Sequence, residues 1–159
     1  MKINFQSIGT IRTPFKEKQG MPIQPKGAAG VQGVIELKEE LSPGLQDLEG
    51  FSHVFLIYHL HQSEGYELEV TPFLDNQKHG VFATRAPRRP NPIGLSVVEL
   101  LKIEGNVLYI RNVDMLDGTP LLDIKPYVAD FDAPRMSRKG WLEKNAGKAD
   151  DFRSDDRFE

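Results

Sequence analysis

Gly94-Leu95-Ser96-Val97-Val98-Glu99-Leu100-Leu101-Lys102-Ile103-Glu104-Gly105-Asn106-Val107-Leu108-Tyr109-Ile110-Arg111-Asn112-Val113 decides the fold class. Two runs rich in aliphatic and β-branched residues flank Glu104-Gly105-Asn106, where glycine can take positive φ, so the stretch predicts a β-hairpin. Immediately upstream, Gly80 to Thr84 reads as a short strand, and Tyr66 to Thr71 alternates acidic and apolar residues as a strand with one wet face does. His53 to Leu60 is apolar on both parities, the pattern of a central strand covered on two faces. Further out, Ile3 to Thr13 and Val31 to Leu37 are strand-like, with a Gly- and Pro-rich loop between them. Ser42-Pro43-Gly44-Leu45 predicts a short helical turn with Ser42 as its N-cap. On the other side, Leu121 to Val128 is one more strand, its end placed at an edge by Pro126. No long segment sustains a 3.6-residue apolar period. The expectation is a mainly β fold, a small antiparallel or mixed β-barrel of seven to eight short strands with short helical turns, and not a Rossmann sheet.

A chain of 159 residues with 39% apolar content can bury one core, so one domain is expected. Residues 1–132 are read as the barrel. Residues 133–159, with seven basic against six acidic residues and few large apolar ones, are read as a charged C-terminal tail that Trp141 pins to the body. The net charge of −3 exerts no global pull on nucleic acid, so any such binding must come from a local patch. The absence of cysteine excludes disulfides, thiolate zinc clusters and a thiol nucleophile. Met1-Lys2-Ile3-Asn4-Phe5 has no apolar signal core, and Val54 to Tyr58 is far too short for a membrane span. A cytoplasmic protein with no membrane partner is the expectation.

Arg85-Ala86-Pro87-Arg88-Arg89-Pro90-Asn91-Pro92-Ile93-Gly94 is the most unusual segment. Its three prolines fix their own φ and hold Ala86, Arg89 and Asn91 out of the helical region, so the backbone is stiff. Arginines on a stiff loop lose little entropy when they grip phosphate or carboxylate, although loop arginines are also often merely solvated. Asp117-Gly118-Thr119-Pro120 reads locally as a turn. Asp123, Lys125 and Tyr127 share one strand face, which fits either a proton-transfer group or a surface ion pair. His59 and His61 have a metal-like spacing, but no acidic pair or cysteine completes a set, so no metal is expected. Gly27-Ala28-Ala29-Gly30-Val31-Gln32-Gly33 leads into a strand and matches neither G-x-G-x-x-G nor a P-loop.

Taken in order, several segments resemble the TsaA/TrmO family across roughly residues 3–132. They are Ile8-Gly9-Thr10-Ile11-Arg12-Thr13-Pro14-Phe15, Gly50-Phe51-Ser52-His53, Gly80-Val81-Phe82-Ala83-Thr84-Arg85, Arg89-Pro90-Asn91-Pro92-Ile93-Gly94-Leu95-Ser96, and Asp117-Gly118-Thr119-Pro120 with Asp123-Ile124-Lys125-Pro126-Tyr127. The resemblance implies a homodimeric β-barrel methyltransferase that uses S-adenosyl-L-methionine and methylates N6 of N6-threonylcarbamoyladenosine beside the anticodon of tRNA. It implies cofactor contacts from Ile23, Gln24, Pro25, His61, Gln62, Arg85, Leu95, Asp117, Gly118, Thr119 and Pro120. Arg88, Arg89 and Asn91 are then expected to bind the RNA substrate, and Asp123, Lys125 and Tyr127 to accept or orient the departing proton. Where the best-known bacterial members carry Ser-Thr-Phe before Arg-Pro-Asn-Pro, this chain has Ala86-Pro87-Arg88. The competing readings are a methyltransferase of the same fold with another nucleoside or small-molecule acceptor, and a non-catalytic module that binds S-adenosylmethionine or RNA.

Overall fold

In the computed structural model, which describes residues 1–23 and 25–144, the eight strands are β1 (Gly9–Arg12), β2 (Gln32–Leu37), β3 (His53–His59), β4 (Glu69–Val70), β5 (His79–Gly80), β6 (Ile93–Glu104), β7 (Val107–Arg111) and β8 (Thr119–Pro126). Six of them close a barrel in the order β1-β2-β7-β6-β3-β8, and every neighbouring pair is antiparallel. The barrel therefore has six strands, where seven to eight were expected, and it has no parallel pair. The difference lies in the expected strands at Tyr66–Thr71 and Gly80–Thr84. They pair with each other only over Glu69–Val70 and His79–Gly80, outside the barrel, and Val81–Ala83 turns into a 3₁₀ helix.

The hairpin forms as its sequence requires. β6 and β7 meet with Glu104 opposite Val107, leaving a two-residue turn whose Gly105 has φ +62°. Asn106 then ties the turn to β2, donating from Nδ2 to the Leu37 carbonyl at 2.7 Å. Alternation along the strands sends Ile11, Ile35, Val54, Leu56, Val98, Leu108, Ile110 and Leu121 into a fully buried barrel interior. β3 is buried fully on that face only. Phe55 and Ile57, on its other face, are half-buried on the outer wall.

An irregularity between Ile57 and Tyr58 decides where β8 points. Leu121 pairs with Tyr58 and faces the core, but Asp123 pairs with Ile57, so Leu122 is an extra residue and the register slips by one. From that bulge on, Asp123 and Lys125 lie on the outer wall. The first strand is shorter than expected because its ladder with β2 and β8 runs over Gly9–Arg12, with Ile8 adding one backbone bond to each side. The predicted turn at Ser42 is a 3₁₀ helix that begins earlier, at Glu39, so Ser42 is inside it and donates to the Glu39 carbonyl. Past the barrel come a single helical turn, Ala129–Asp132, and a 3₁₀ turn, Gly140–Lys144. Of the expected tail, residues 145–159 lie outside the described residues. Among the described residues, no helix is long and apolar enough to cross a membrane.

Candidate active site

The loops at one end of the barrel, where β1, β3 and β7 end and β6 and β8 begin, surround a cavity of about 640 Å³. That size lies within the roughly 300–1,000 Å³ of small-molecule sites. Its walls are mainly apolar and aromatic: Met21, Pro22 and Ile23 from the early loop, Leu60 after β3, Pro72, Phe73 and Leu74, then Phe82, Met115, Leu116, Trp141 and Leu142. The polar groups are few and come from separate elements: Lys18, His61, Gln62, Arg85, Asp114 and Thr119 among them. An apolar enclosure with a handful of convergent polar groups can bind an organic cofactor and orient it.

The deepest polar feature is a chain of three side chains. Tyr58 and Ser96 are both buried and lie diagonally across the β3–β6 pair, Tyr58 opposite Gly94, with their oxygens 2.9 Å apart. Ser96 Oγ then donates to Asp114 Oδ1 at 2.7 Å. The ring of Tyr58 can lie there only because residue 94 is glycine, since a Cβ at Gly94 would run into it. Burial pushes the Asp114 carboxyl up to about 6, although the Ser96 hydroxyl and the nearby Arg85 charge pull it down. Burial, followed by the Asp114 charge, holds the Tyr58 hydroxyl well above the usual phenol range, so it remains protonated. His61 is held below the usual imidazole range, by burial first and then by the neighbouring His59, which favours its neutral form at pH 7. A carboxylate that titrates near neutrality in a mainly apolar cavity is suited to accept a proton.

The residues implied by family resemblance fall into three groups. Ile23, His61, Gln62, Arg85 and Thr119 line the cavity. Pro25 starts the 3₁₀ helix Pro25–Ala28, and Gln24 lies outside the described residues. Asp117, Gly118 and Pro120 build the rim. Asp117 Oδ1 accepts from the Thr13 amide at 3.0 Å, and its Oδ2 accepts from Lys16 at 2.5 Å, which keeps the carboxyl below its usual range. The Gly118 amide, at φ +77°, donates to the Ile11 carbonyl at 2.9 Å. This turn clamps the end of β1 to the start of β8, which fixes the mouth of the barrel.

The proline-rich loop is braced from within. Arg89 Nη1 donates to the carbonyls of Thr84 and Ala86 at 3.0 and 3.1 Å, and Ser63 Oγ donates to the Pro87 carbonyl at 2.9 Å. Arg88 pairs with Glu67 at 3.2 Å, and Asn91 is exposed on the loop. The third group lies elsewhere. Asp123 and Lys125 form an ion pair at 2.8 Å on the outer wall, and Tyr127 packs edge-on against Phe55. Leu95, 57% exposed, belongs to the same wall, opposite Ile57. None of these four lines the cavity.

Sequence reasoning missed Tyr58, Ser96 and Asp114. One signal was available, because Ser96 is the only hydroxyl on the core-facing parity of β6, between Gly94 and Val98. Phe82 and Trp141 were also missed as cavity residues.

The family model for the tRNA-methyltransferase O N-terminal domain matches residues 10–133. A probable S-adenosyl-L-methionine-binding protein of Pyrococcus abyssi (strain GE5 / Orsay) is 54% identical over 158 residues, covering 99% of this chain and 86% of that protein. The tRNA (adenine(37)-N6)-methyltransferase of Mus musculus is 40% identical over 137 residues, covering 82% of this chain and 32% of that protein. The crystal structure of TrmO from Pseudomonas aeruginosa superposes with a TM-score of 0.75 at 41% identity, covering 89% of this chain and 63% of that one. The chain thus spans less than two-thirds of that solved relative and about a third of the mouse protein. With the family model covering most of its length and a barrel of the same fold, this chain belongs to the TrmO family.

Proposed function

We propose that the protein is an S-adenosyl-L-methionine-dependent methyltransferase that modifies N6 of N6-threonylcarbamoyladenosine beside the anticodon of tRNA, in the cytoplasm. The observation that carries this reading is the cavity at the barrel end, with Asp114 exposed to a largely apolar enclosure in a chain of the TrmO family. The cavity fits the cofactor in size and chemistry. Apolar and aromatic walls suit an adenosine, while Gln62 and Thr119 offer acceptors for its ammonium and hydroxyl groups. When bound, the cofactor supplies an electrophilic methyl group on a sulfonium.

The chain's own work is alignment, exclusion of water and removal of one proton. The acceptor nitrogen is ureido-like and a weak nucleophile, so loss of its proton during attack assists the transfer. Two groups compete for that proton. Asp123, Lys125 and Tyr127 lie on the outer wall, where the acid and amine neutralise each other. Asp114 is in the cavity and is oriented by Ser96 and Tyr58, so the geometry favours Asp114. Arg85 at the cavity supplies positive charge for the threonyl carboxylate or the RNA backbone, and Arg88 on the braced loop beside it adds its own on exchanging Glu67 for that anion.

The protein works as a homodimer. Support comes from the outer wall of β6, β3 and β8, where Leu95 (57% exposed), Ile93 (39%) and Leu101 (39%) join the half-buried Phe55 and Ile57. Exposed aliphatic side chains clustered on one sheet face mark an association surface.

The test is transfer of radiolabelled methyl from S-adenosylmethionine to tRNA pools with and without threonylcarbamoyladenosine. Label only in the modified pool is expected. Label in both pools would identify another acceptor, and cofactor binding without transfer would identify a binding module.

A further inference from the structure

The segment Gly140–Lys144 lies beyond the stretch matched by the family model, which ends at residue 133, yet Trp141 and Leu142 form part of the cavity wall. Trp141 is held on two sides. Its ring stacks on His79 at 4.5 Å between centroids with 17° between planes, and its Nε1 donates to the Ala83 carbonyl at 2.8 Å. His79 is fixed in turn, with its Nε2 2.8 Å from Asp75 Oδ2. The indole is therefore oriented by one stack and one hydrogen bond while it faces the cavity.

Next to Ala83 stands Phe82, which also lines the cavity but is 76% exposed. Phe5, Tyr66 and Phe131 are exposed as well, but among the exposed aromatics of the described residues Phe82 is the one that lines the cavity, where its ring provides a stacking surface. Simple anchoring of the tail accounts for the indole hydrogen bond but not for an exposed phenylalanine on the same rim.

We propose that Trp141 and Phe82 form an aromatic clamp for an adenine ring, and that the segment 140–144 is thereby a working part of the site instead of a tail anchor. The inference rests on the reading of the cavity as a methyl-donor and nucleoside site. Two adenines are chemically equivalent occupants: the one in the cofactor and the one in the tRNA nucleoside, presented from a single-stranded loop. Stacking recognises both through their π-faces.

Trp141 is the sole tryptophan of the chain, so its emission is a direct reporter. The experiment titrates S-adenosylhomocysteine, the unreactive product, and separately tRNA carrying threonylcarbamoyladenosine into the full-length protein. Tryptophan fluorescence and calorimetry are followed for the wild type, and calorimetry for Trp141→Ala, Trp141→Phe and Phe82→Ala. The expected result is a saturable emission change in the wild type and a loss of about tenfold in affinity for one of the two ligands in Trp141→Ala and Phe82→Ala, with most of it restored in Trp141→Phe. If S-adenosylhomocysteine is the ligand affected, the clamp holds the cofactor adenine. If tRNA alone is affected, it holds the substrate base. Thermal unfolding of each variant identifies any loss due to misfolding, in which case Trp141→Phe and Phe82→Ala decide. Wild-type affinity for both ligands in both alanine variants would overturn the clamp and leave the methyltransferase reading standing. Clamp-dependent binding without methyl transfer would do the reverse.

Discussion

Replacing Asp114 by asparagine separates stability from catalysis. Asparagine keeps the shape, and its Oδ1 can still accept from Ser96 Oγ, as the carboxylate does at 2.7 Å. Burial raises the Asp114 carboxyl from the ordinary 3.8 to about 6. Each pKa unit corresponds to about 1.4 kcal/mol, so holding this carboxylate ionised near neutral pH costs the fold about 3 kcal/mol. The sign follows from the direction of the shift. The folded state binds the proton more tightly than the unfolded chain does, so full stability is present below pH 3.8 and is lost as pH rises through about 6. Asp114→Asn removes a charge that the fold tolerates poorly, and it is expected to be more stable than the wild type by up to about 3 kcal/mol at about pH 7.5, with the gain vanishing towards pH 4. The assay is urea unfolding of both proteins at the two pH values. In parallel, methyl transfer should fall roughly 10²- to 10⁴-fold, the usual contribution of a positioned base. A variant less stable than the wild type at pH 7.5, or one whose gain does not change with pH, would refute the idea that Asp114 is a buried carboxylate maintained against the fold. Normal turnover in the variant would refute its role as proton acceptor.

Other expectations follow from the same geometry. Wild-type turnover should drop as pH falls through about 6, because the acceptor must be deprotonated, and a pH–rate profile checks this. Ser96→Ala removes a hydrogen bond that pulls the carboxyl down, so the acid limb of that profile should move to higher pH. Gly94→Ala drives a methyl group into the Tyr58 ring and should cost about 1–3 kcal/mol in denaturant unfolding. Leu95→Asp on the outer wall should yield monomers in light scattering while leaving the fold intact by circular dichroism.

The hairpin and most of the barrel strands were legible because a two-residue period and a glycine turn dictate them locally. The two strands wrongly counted into the barrel show what periodicity omits. Tyr66–Thr71 has the pattern of a strand, but only Glu69 and Val70 pair, and they pair with His79–Gly80 outside the barrel. The bulge at Leu122 was equally invisible, since the side chains before and after it alternate normally and only the partner strand reveals the extra residue. That bulge is why Asp123 and Lys125 face away from the core that Leu121 enters. In the site, the motif segments were readable one by one, but the Tyr58–Ser96–Asp114 chain joins residues 38 and 18 positions apart. Such a chain exists only once the β3–β6 register is set. From sequence, Trp141 reads as a pin for the tail, because its place at the cavity depends on His79 and Ala83, about 60 residues away.

Nucleoside mass analysis of tRNA after incubation with the protein and S-adenosylmethionine reads the methyl transfer itself. One added methyl group on N6-threonylcarbamoyladenosine, and on no other nucleoside, is the predicted result. Methyl groups on a different nucleoside, or none on tRNA that carries threonylcarbamoyladenosine, would contradict it.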